Sequence, residues 1–424
     1  MARVDELTHR QRIGAIVAGS AGNLIEWYDF YVYAFTALYF AASFFPAGDR
    51  TAQLLNVAGV YAAGFLIRPL GGWFFGRFAD RHGRQASMVV AVLLMGAGSF
   101  MLAVLPTYAS IGAWAPGLLL VARLIQGFST GGQFGAAATY LSEVASDARR
   151  GFYASFQYVT LIGGQLGALL VLLVLQRFLG DAALRAWGWR LPFALGGALS
   201  VAVLVFRRHM HETVDTSTKR AGVGSLRELA RHPKQLLVVL ALTAGGALTL
   251  YTFTTYMQKF LVNTTGIQVQ RVSVVMMWAM ICFMVLQPVM GALSDRIGRR
   301  KCLLLFSALM TVGAVPILSS LARATQPTQA FLLVVLALGI LSFYTSISGL
   351  FKAELFPTHV RALGVALAHS VGVALFGGSA EYVALWFKSA GHEAYFYWYV
   401  AAVCGISFVT ALLMVEPRRV TMRD

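Results

Sequence analysis

Gly76-Arg77-Phe78-Ala79-Asp80-Arg81-His82-Gly83-Arg84 and Gly291-Ala292-Leu293-Ser294-Asp295-Arg296-Ile297-Gly298-Arg299-Arg300 are two versions of one loop in a chain of 424 residues. One follows the second long apolar run of the chain and the other follows the eighth. A second pair repeats with them: Glu143 precedes Arg150 by seven residues, and Glu354 precedes Arg361 by seven. The sequence therefore reads as an internal duplication, two related halves of six apolar segments each.

Outward from these loops, twelve segments are predicted at approximately 13–40, 54–79, 86–106, 116–143, 150–177, 190–207, 235–262, 270–294, 301–322, 329–356, 360–386 and 394–416. Each is about as long as the roughly 20 apolar residues that a membrane-spanning helix needs. They are too long and too evenly apolar to be barrel strands, and in lipid only helices and closed barrels satisfy the backbone. The composition agrees: 58% of residues are hydrophobic and 12% charged, against about 25% charged in a soluble domain. The expected fold is an all-α membrane protein of twelve helices in two pseudo-symmetric six-helix bundles. The longest polar stretch, 208–234, divides the chain into a bundle at 1–207, a cytoplasmic linker at 208–234 and a bundle at 235–424.

The net charge of +16 does not point to nucleic acid, because the basic residues sit in short loops between apolar runs. An even number of spans puts both termini on one side. Assigning that side to the cytoplasm places most of the 34 Lys and Arg in inward loops and tails. A multi-pass protein of a bacterial inner membrane, working as a monomer in the bilayer, is expected. The first dozen residues are polar and the first apolar run is too long for a cleavable leader. Cys282, Cys302 and Cys404 show no pairing or metal spacing and are read as packing residues.

The Gly-x-x-x-Asp-Arg-x-Gly-Arg loop of both halves resembles the major facilitator superfamily. Gly22-Asn23-Leu24-Ile25-Glu26-Trp27-Tyr28-Asp29-Phe30, Arg68-Pro69-Leu70-Gly71-Gly72 and Arg123-Leu124-Ile125-Gln126-Gly127 resemble its metabolite:proton symporter branch. So do 152–165, 251–259, 343–349 and 376–382, and the resemblance runs over nearly the whole chain. It implies secondary transport by alternating access: proton-coupled symport of 2-oxoglutarate or a closely related dicarboxylate. Another small organic acid or metabolite, such as citrate, shikimate or a zwitterionic osmolyte, is the alternative. One departure is Gln133, where the branch leads one to expect an acidic residue after Gly131-Gly132. The resemblance also implies that the first, fourth, seventh and tenth spans line the central path.

An ionisable residue inside a span is costly in lipid and marks a functional site by default. Glu26 and Asp29, three residues apart, share roughly one helix face. Both are candidate proton carriers, or partners of a buried arginine. Arg68 lies deep in the second span and Arg123 in the fourth. A guanidinium cannot lose its charge and matches a carboxylate in bidentate fashion, so each is a candidate clamp for an anionic substrate. Arg123, Gln126, Thr130 and Gln133 form one polar stripe that is expected to face the path. Gln157, Tyr256, Lys259, Tyr344 and Ser348 are further candidate substrate contacts. Lys259 equally fits a lysine snorkelling to the interface. Lys352 fits either anion release or a gate pairing. His369 is read first as a hydrogen-bonded structural residue. Asp80, Arg84, Asp295, Arg299, Glu143, Arg150, Glu354 and Arg361 are read as conformational gating residues, since arginines at helix ends meet C-terminal carbonyls and the anionic leaflet.

No phosphate-cradling loop, nucleophile–base set or metal-ligand spacing is present, so neither an ATPase engine nor an enzyme is expected, and no cofactor or metal. A membrane sensor would need a signalling domain, and neither tail nor linker is long enough to fold one.

Overall fold

The structure is a computed structural model that describes residues 9–82, 84–131, 149–207, 226–357 and 360–416. Among these residues every regular element is helical. The first six spans are α1 (His9–Phe44), α2 (Arg50–Leu66, resuming as Arg68–His82), α3 (Arg84–Val104), α4 (from Trp114 to Thr130), α5 (Arg150–Ala154, resuming as Phe156–Phe178) and α6 (Arg190–Arg207). The second six are α7 (Pro233–Tyr251, a π-helical turn Thr252–Tyr256, then Met257–Thr264), α8 (Val269–Ile297), α9 (Arg299–Ala322), α10 (Pro327–Thr345, resuming as Ser348–Leu355), α11 (Arg361–Gly372, a π-helical turn Val373–Gly377, then Ala380–Ser389) and α12 (Glu393–Leu413). Eight of these stretches are long and apolar enough to cross a membrane. The spans begin and end within a few residues of the predicted limits where they are described. The predicted fourth span extends to 143, and its residues beyond 131 lie outside the described set.

Local chemistry sets the helix ends. Asp49 caps α2 by accepting from the Ala52 N–H at 2.8 Å. Pro233 and Pro327 stand in the first turns of α7 and α10, where a missing N–H costs nothing. Between α8 and α9 the chain turns on Gly298, whose φ of 98° a side chain would resist.

The helix contacts repeat between halves. In the first half α1 packs on α5 and α6, α3 on α4 and α6, and α2 on α4. In the second, α7 packs on α11 and α12, α9 on α10 and α12, and α8 on α10. The halves meet where α2 lies on α11 and α5 lies on α8, which are the same pair of helices exchanged. Large apolar side chains such as Leu66, Leu237, Val285, Val312 and Leu413 remain exposed on the outside, as a lipid-facing surface requires. Trp114, Trp187, Trp386 and Trp398 are exposed near the end remote from Asp295, where indole rings suit a membrane–water boundary.

Without a hydrophobic drive between helices in lipid, close contact depends on small residues. The α2–α4 seam shows this. A Cβ on Gly127 would fall 1.8 Å from the Gly64 carbonyl oxygen, one on Gly71 2.0 Å from that of Phe128, and one on Gly131 2.0 Å from that of Arg68. These backbones touch, and the seam fixes where Arg68 and Arg123 sit.

Candidate functional site

Arg68 opens the second part of α2 and Arg123 lies mid-way along α4; both are buried. Their guanidinium groups rest on aromatic rings. Arg68 Cζ is 4.1 Å from the centre of Phe65, 4.3 Å from Phe30 and 5.6 Å from Trp27. Arg123 Cζ is 4.4 Å from Tyr33, 4.7 Å from Phe30 and 5.1 Å from Tyr61. Phe30 is thus shared by both cations. Such contacts stabilise a cation in place of water, but they leave its N–H groups unspent. Nε and Nη2 of both arginines, and the hydroxyls of Tyr31 and Tyr61, have no hydrogen-bond partner among the described residues. Buried donors without acceptors are uncommon in folded proteins and call for a chemical explanation.

Arg123 does have one bond: Nη1 donates to Gln126 Oε1 at 2.7 Å. Gln126 Nε2 donates to Ser99 Oγ at 2.7 Å, and Ser99 Oγ donates to Asp29 Oδ2. A single chain of hydrogen bonds therefore links the carboxylate of α1 to the guanidinium of α4 through a serine of α3. Asp29 sits on the side of α1 that meets α3 and α6, where a Cβ on Gly196 would collide with its Oδ1. Glu26 instead lines a narrow cleft with Asn23, Trp27, Arg68, Thr130, Gly131, His369, Ser370 and Val373, about 370 Å³ including its open mouth. The expectation that Glu26 and Asp29 share one face is corrected here. Three residues turn a helix through about 300°, and the remaining offset carries the two acids to different neighbours. The polar stripe of α4 is split likewise: Thr130 reaches the cleft, Gln126 turns to α3, and Gln133 lies outside the described residues.

The second half brings its own polar groups. Lys352 Nζ donates to Ser348 Oγ at 2.8 Å and contacts His369 Nδ1 at 2.9 Å. It lies 5.4 Å from the ring centre of Tyr344. Tyr344 itself packs where α7 has Gly246 in place of a side chain. Tyr251 of α7 stacks on Tyr31 at 6.4 Å and meets Phe65 edge-on at 5.1 Å, so aromatic rings from both halves close over the arginines.

Other predicted contacts stand elsewhere. Lys259 is held by both oxygens of Glu381 at 2.7 Å, with both side chains buried. Tyr256 packs edge-on against Phe260 and Phe396, toward α12 rather than toward the arginines. Gln157 is buried on α5. Tyr31, Tyr61 and Ser99 are not singled out by the sequence. The run Trp27, Phe30, Tyr31 at helical spacing was the available signal.

Those residues predicted as gates whose side chains are described gather at the end of the bundle that carries Asp295. Asp295 accepts from the N–H groups of Gly151 at 2.8 Å and Phe152 at 3.1 Å, and pairs with Arg299 at 2.9 Å. Arg299 approaches Glu354 at 3.9 Å. Arg150 is buried in the first turn of α5, and Arg361 Nε donates to the Phe356 carbonyl at 3.3 Å. Asp80 and Arg84 lie on α2 and α3, but their side chains, and Glu143 altogether, fall outside the described set. At the opposite end the halves are joined by Asn263 to Thr51 at 3.2 Å and Gln176 to Ser273 at 3.1 Å. The arginines are therefore enclosed between cross-half contacts at both ends, with the cleft on the Asp295 side.

The chain matches the family described as "Sugar (and other) transporter" over residues 14–221 and again over 207–422. It is 57% identical to the alpha-ketoglutarate permease of Escherichia coli (strain K12), over 96% of this chain and 94% of the relative. It is 34% identical to a citrate-proton symporter of Klebsiella pneumoniae, over 93% and 90% of the two chains. It is 35% identical to the glycine betaine/proline/ectoine/pipecolic acid transporter OusA of Dickeya dadantii (strain 3937), over 95% and 83%. In fold it is similar to the xylose transporter XylE of E. coli in a partially occluded inward-open conformation, at a TM-score of 0.74 and 17% identity, with 96% and 98% of the chains covered. The duplicated match, the repeated helix packing and these similarities agree: the chain belongs to the sugar (and other) transporter family and has the twelve-helix, two-bundle fold of major facilitator transporters.

Proposed function

We propose that this protein is a proton-coupled symporter that carries 2-oxoglutarate, or a closely related dicarboxylate, into the cell by alternating access. The observation that carries the reading is the pair Arg68 and Arg123. Two permanent cations share one aromatic ring, and each keeps Nε and Nη2 without a hydrogen-bond partner among the described residues. A planar carboxylate is the ligand that such a donor set fits. The 57% identity to a permease named for α-ketoglutarate supports the substrate.

In this reading Asp29 or Glu26 carries the proton. Protonating Asp29 removes the charge that Ser99 and Gln126 relay to Arg123, so loading with a proton and with an anion are felt at one guanidinium. The membrane potential acts on net charge at about 2.3 kcal/mol per charge per 100 mV, so inward movement of a dianion calls for at least one proton with it. The halves, taken as 1–207 and 235–424 joined by a cytoplasmic linker at 208–234, rock about the site. The Asp295 and Asp80 loops, with Arg84, Arg299, Glu143, Arg150, Glu354 and Arg361, steady one end. Both termini face the cytoplasm of a bacterial inner membrane, and the monomer is the working unit.

The test is uptake of labelled 2-oxoglutarate into proteoliposomes under an imposed inward proton gradient, comparing wild type with Arg123→Ala. Gradient-driven uptake lost in the variant supports the proposal. No uptake by the wild type, or stronger competition by citrate, shikimate, proline or betaine than by 2-oxoglutarate itself, rejects it.

A further inference from the structure

Tyr33 and Tyr61 stack on each other, with ring centres 5.8 Å apart and planes 11° from parallel. Both lie against the Arg123 guanidinium, with ring centres 4.4 and 5.1 Å from its Cζ. Their hydroxyls differ. Tyr33 donates to the Val57 carbonyl at 3.0 Å, whereas the Tyr61 hydroxyl is buried and has no hydrogen-bond partner among the described residues. We infer that Tyr61 is a specificity-determining residue: its hydroxyl donates to the keto oxygen next to the carboxylate held by Arg68 and Arg123, and so selects a 2-oxo acid over the same diacid without the keto group. The inference rests on the reading of the protein as a 2-oxoglutarate carrier and names the group that recognises the oxo end.

The packing around Tyr61 fixes its ring. Besides Tyr33, it meets Phe30 at 5.0 Å and Phe65 edge-on at 5.1 Å. Those two rings carry Arg68, at 4.1 and 4.3 Å, and Phe30 carries Arg123 as well, at 4.7 Å. Tyr61 therefore belongs to the aromatic bed of both cations, and the charge of each acts on its hydroxyl. With the ring clamped on three sides, the direction of the C–O bond is set and only the hydroxyl proton turns. Such a donor loses little freedom when a ligand arrives. The Glu381 carboxylate, whose charge also reaches Tyr61, has both oxygens on Lys259 at 2.7 Å. Tyr31 stacks instead on Tyr251 of α7 and belongs to the seam between the halves.

The chemistry of the ligand fits this donor set. A 2-oxo acid ends in a carboxylate next to a carbonyl, so three acceptor oxygens stand on adjoining carbons. The charged pair suits the guanidinium N–H groups, which meet a carboxylate in bidentate fashion. The third oxygen is neutral, and a neutral O–H donor on the same aromatic bed suits it. Arginines alone hold any carboxylate and do not tell a keto group from a methylene. A buried hydroxyl does, because the keto oxygen supplies the partner that a methylene leaves missing.

The experiment is titration calorimetry on the purified full chain with 2-oxoglutarate and with glutarate, the same diacid without its keto oxygen, together with melting curves in detergent. Wild type is expected to favour 2-oxoglutarate by roughly 10- to 100-fold, the worth of one hydrogen bond to a buried donor that otherwise goes unpaired. Tyr61→Phe keeps the ring and is expected to bring that preference to near unity through weaker binding of 2-oxoglutarate. It should melt no lower than wild type, because an unpaired buried hydroxyl adds nothing to the fold. Tyr33→Phe removes a hydroxyl that is already spent, so it is expected to melt lower and to keep the preference. A preference undiminished in Tyr61→Phe overturns the inference and leaves the transport reading intact. So does a Tyr61→Phe protein that fails to fold or melts well below wild type, since its hydroxyl then serves the fold. Loss of the preference in Tyr33→Phe to the same degree, or equal binding of both ligands by the wild type, also overturns it. Failure of the wild type to bind either ligand strikes the transport reading instead.

Discussion

The Asp295 carboxylate on α8 accepts the N–H of Gly151, the second residue of α5, at 2.8 Å, and so one half of the protein caps a helix of the other. The bond to the Phe152 N–H at 3.1 Å completes the cap, and Gly151 meets Gly291 backbone to backbone beside it. A helix N-terminus carries partial positive charge, so a full negative charge is the better cap.

Asp295→Asn keeps the size of the side chain and removes that charge. It is expected to loosen this end of the protein and slow gradient-driven uptake about tenfold, the lower bound for a hydrogen bond to a charged group. Spin labels on α5 and α8 should report a longer mean distance at that end. An unchanged distance distribution with normal uptake would show that the cap is ornamental.

Asp29→Asn tests the relay. The amide can still meet Ser99, so the fold should hold, but no proton can be carried. Uptake driven by a pH gradient is expected to drop about tenfold or more, while exchange of internal for external substrate continues, since exchange needs no net proton movement. The same measurement on Glu26→Gln decides between the two acids. If both variants respond to the gradient as wild type does, neither acid is the proton carrier.

The Lys259–Glu381 pair calls for a double-mutant cycle. Lys259→Met or Glu381→Gln alone strands a buried charge or polar group and is expected to cost about 3–5 kcal/mol of stability for the stranded charge. Lys259→Met with Glu381→Gln should recover most of it, as read by thermal unfolding in detergent. Normal uptake by the recovered double variant would mark the pair as structural; loss of uptake in a stable double variant would return Lys259 to the list of substrate contacts.

Gly127→Ala probes the α2–α4 seam. Its Cβ would fall 1.8 Å from the Gly64 carbonyl oxygen, so the helices must part, at a cost of about 1–3 kcal/mol or more. Gly117→Ala on the same helix is the control, since a Cβ there meets nothing within 4 Å. The melting temperature should fall for the first and hold for the second. Equal behaviour of the two would mean that the seam relaxes freely.

The spans and the duplication were readable in the sequence because each rests on a short-range signal, an apolar run or a loop pattern such as Asp295-Arg296-Ile297-Gly298-Arg299. Arg68 and Arg123 were readable as buried cations because a charge in an apolar run has few explanations. What escaped depends on pairing across long separations. Lys259 and Glu381 are 122 residues apart, and nothing local to either indicates the other. Asp29 was legible as a buried acid but not as one turned to α3, because Ser99 and Gly196 are ordinary residues whose role comes from what faces them. Lys352 and His369 lie on either side of the α10–α11 turn, and their meeting is set by how those helices cross.

The glycine seam has a consequence for how selectivity is kept through the cycle. Where two backbones touch there is no soft layer of side chains to yield, so α2 and α4 travel as one body. The spacing between Arg68 and Arg123 then behaves as a fixed gauge, the same whichever face of the membrane the protein presents. Under the proposed function, with the anion held by these two arginines, rejection of ill-fitting cargo would be settled on first contact, and the moving parts would need only to ask whether the gauge is filled.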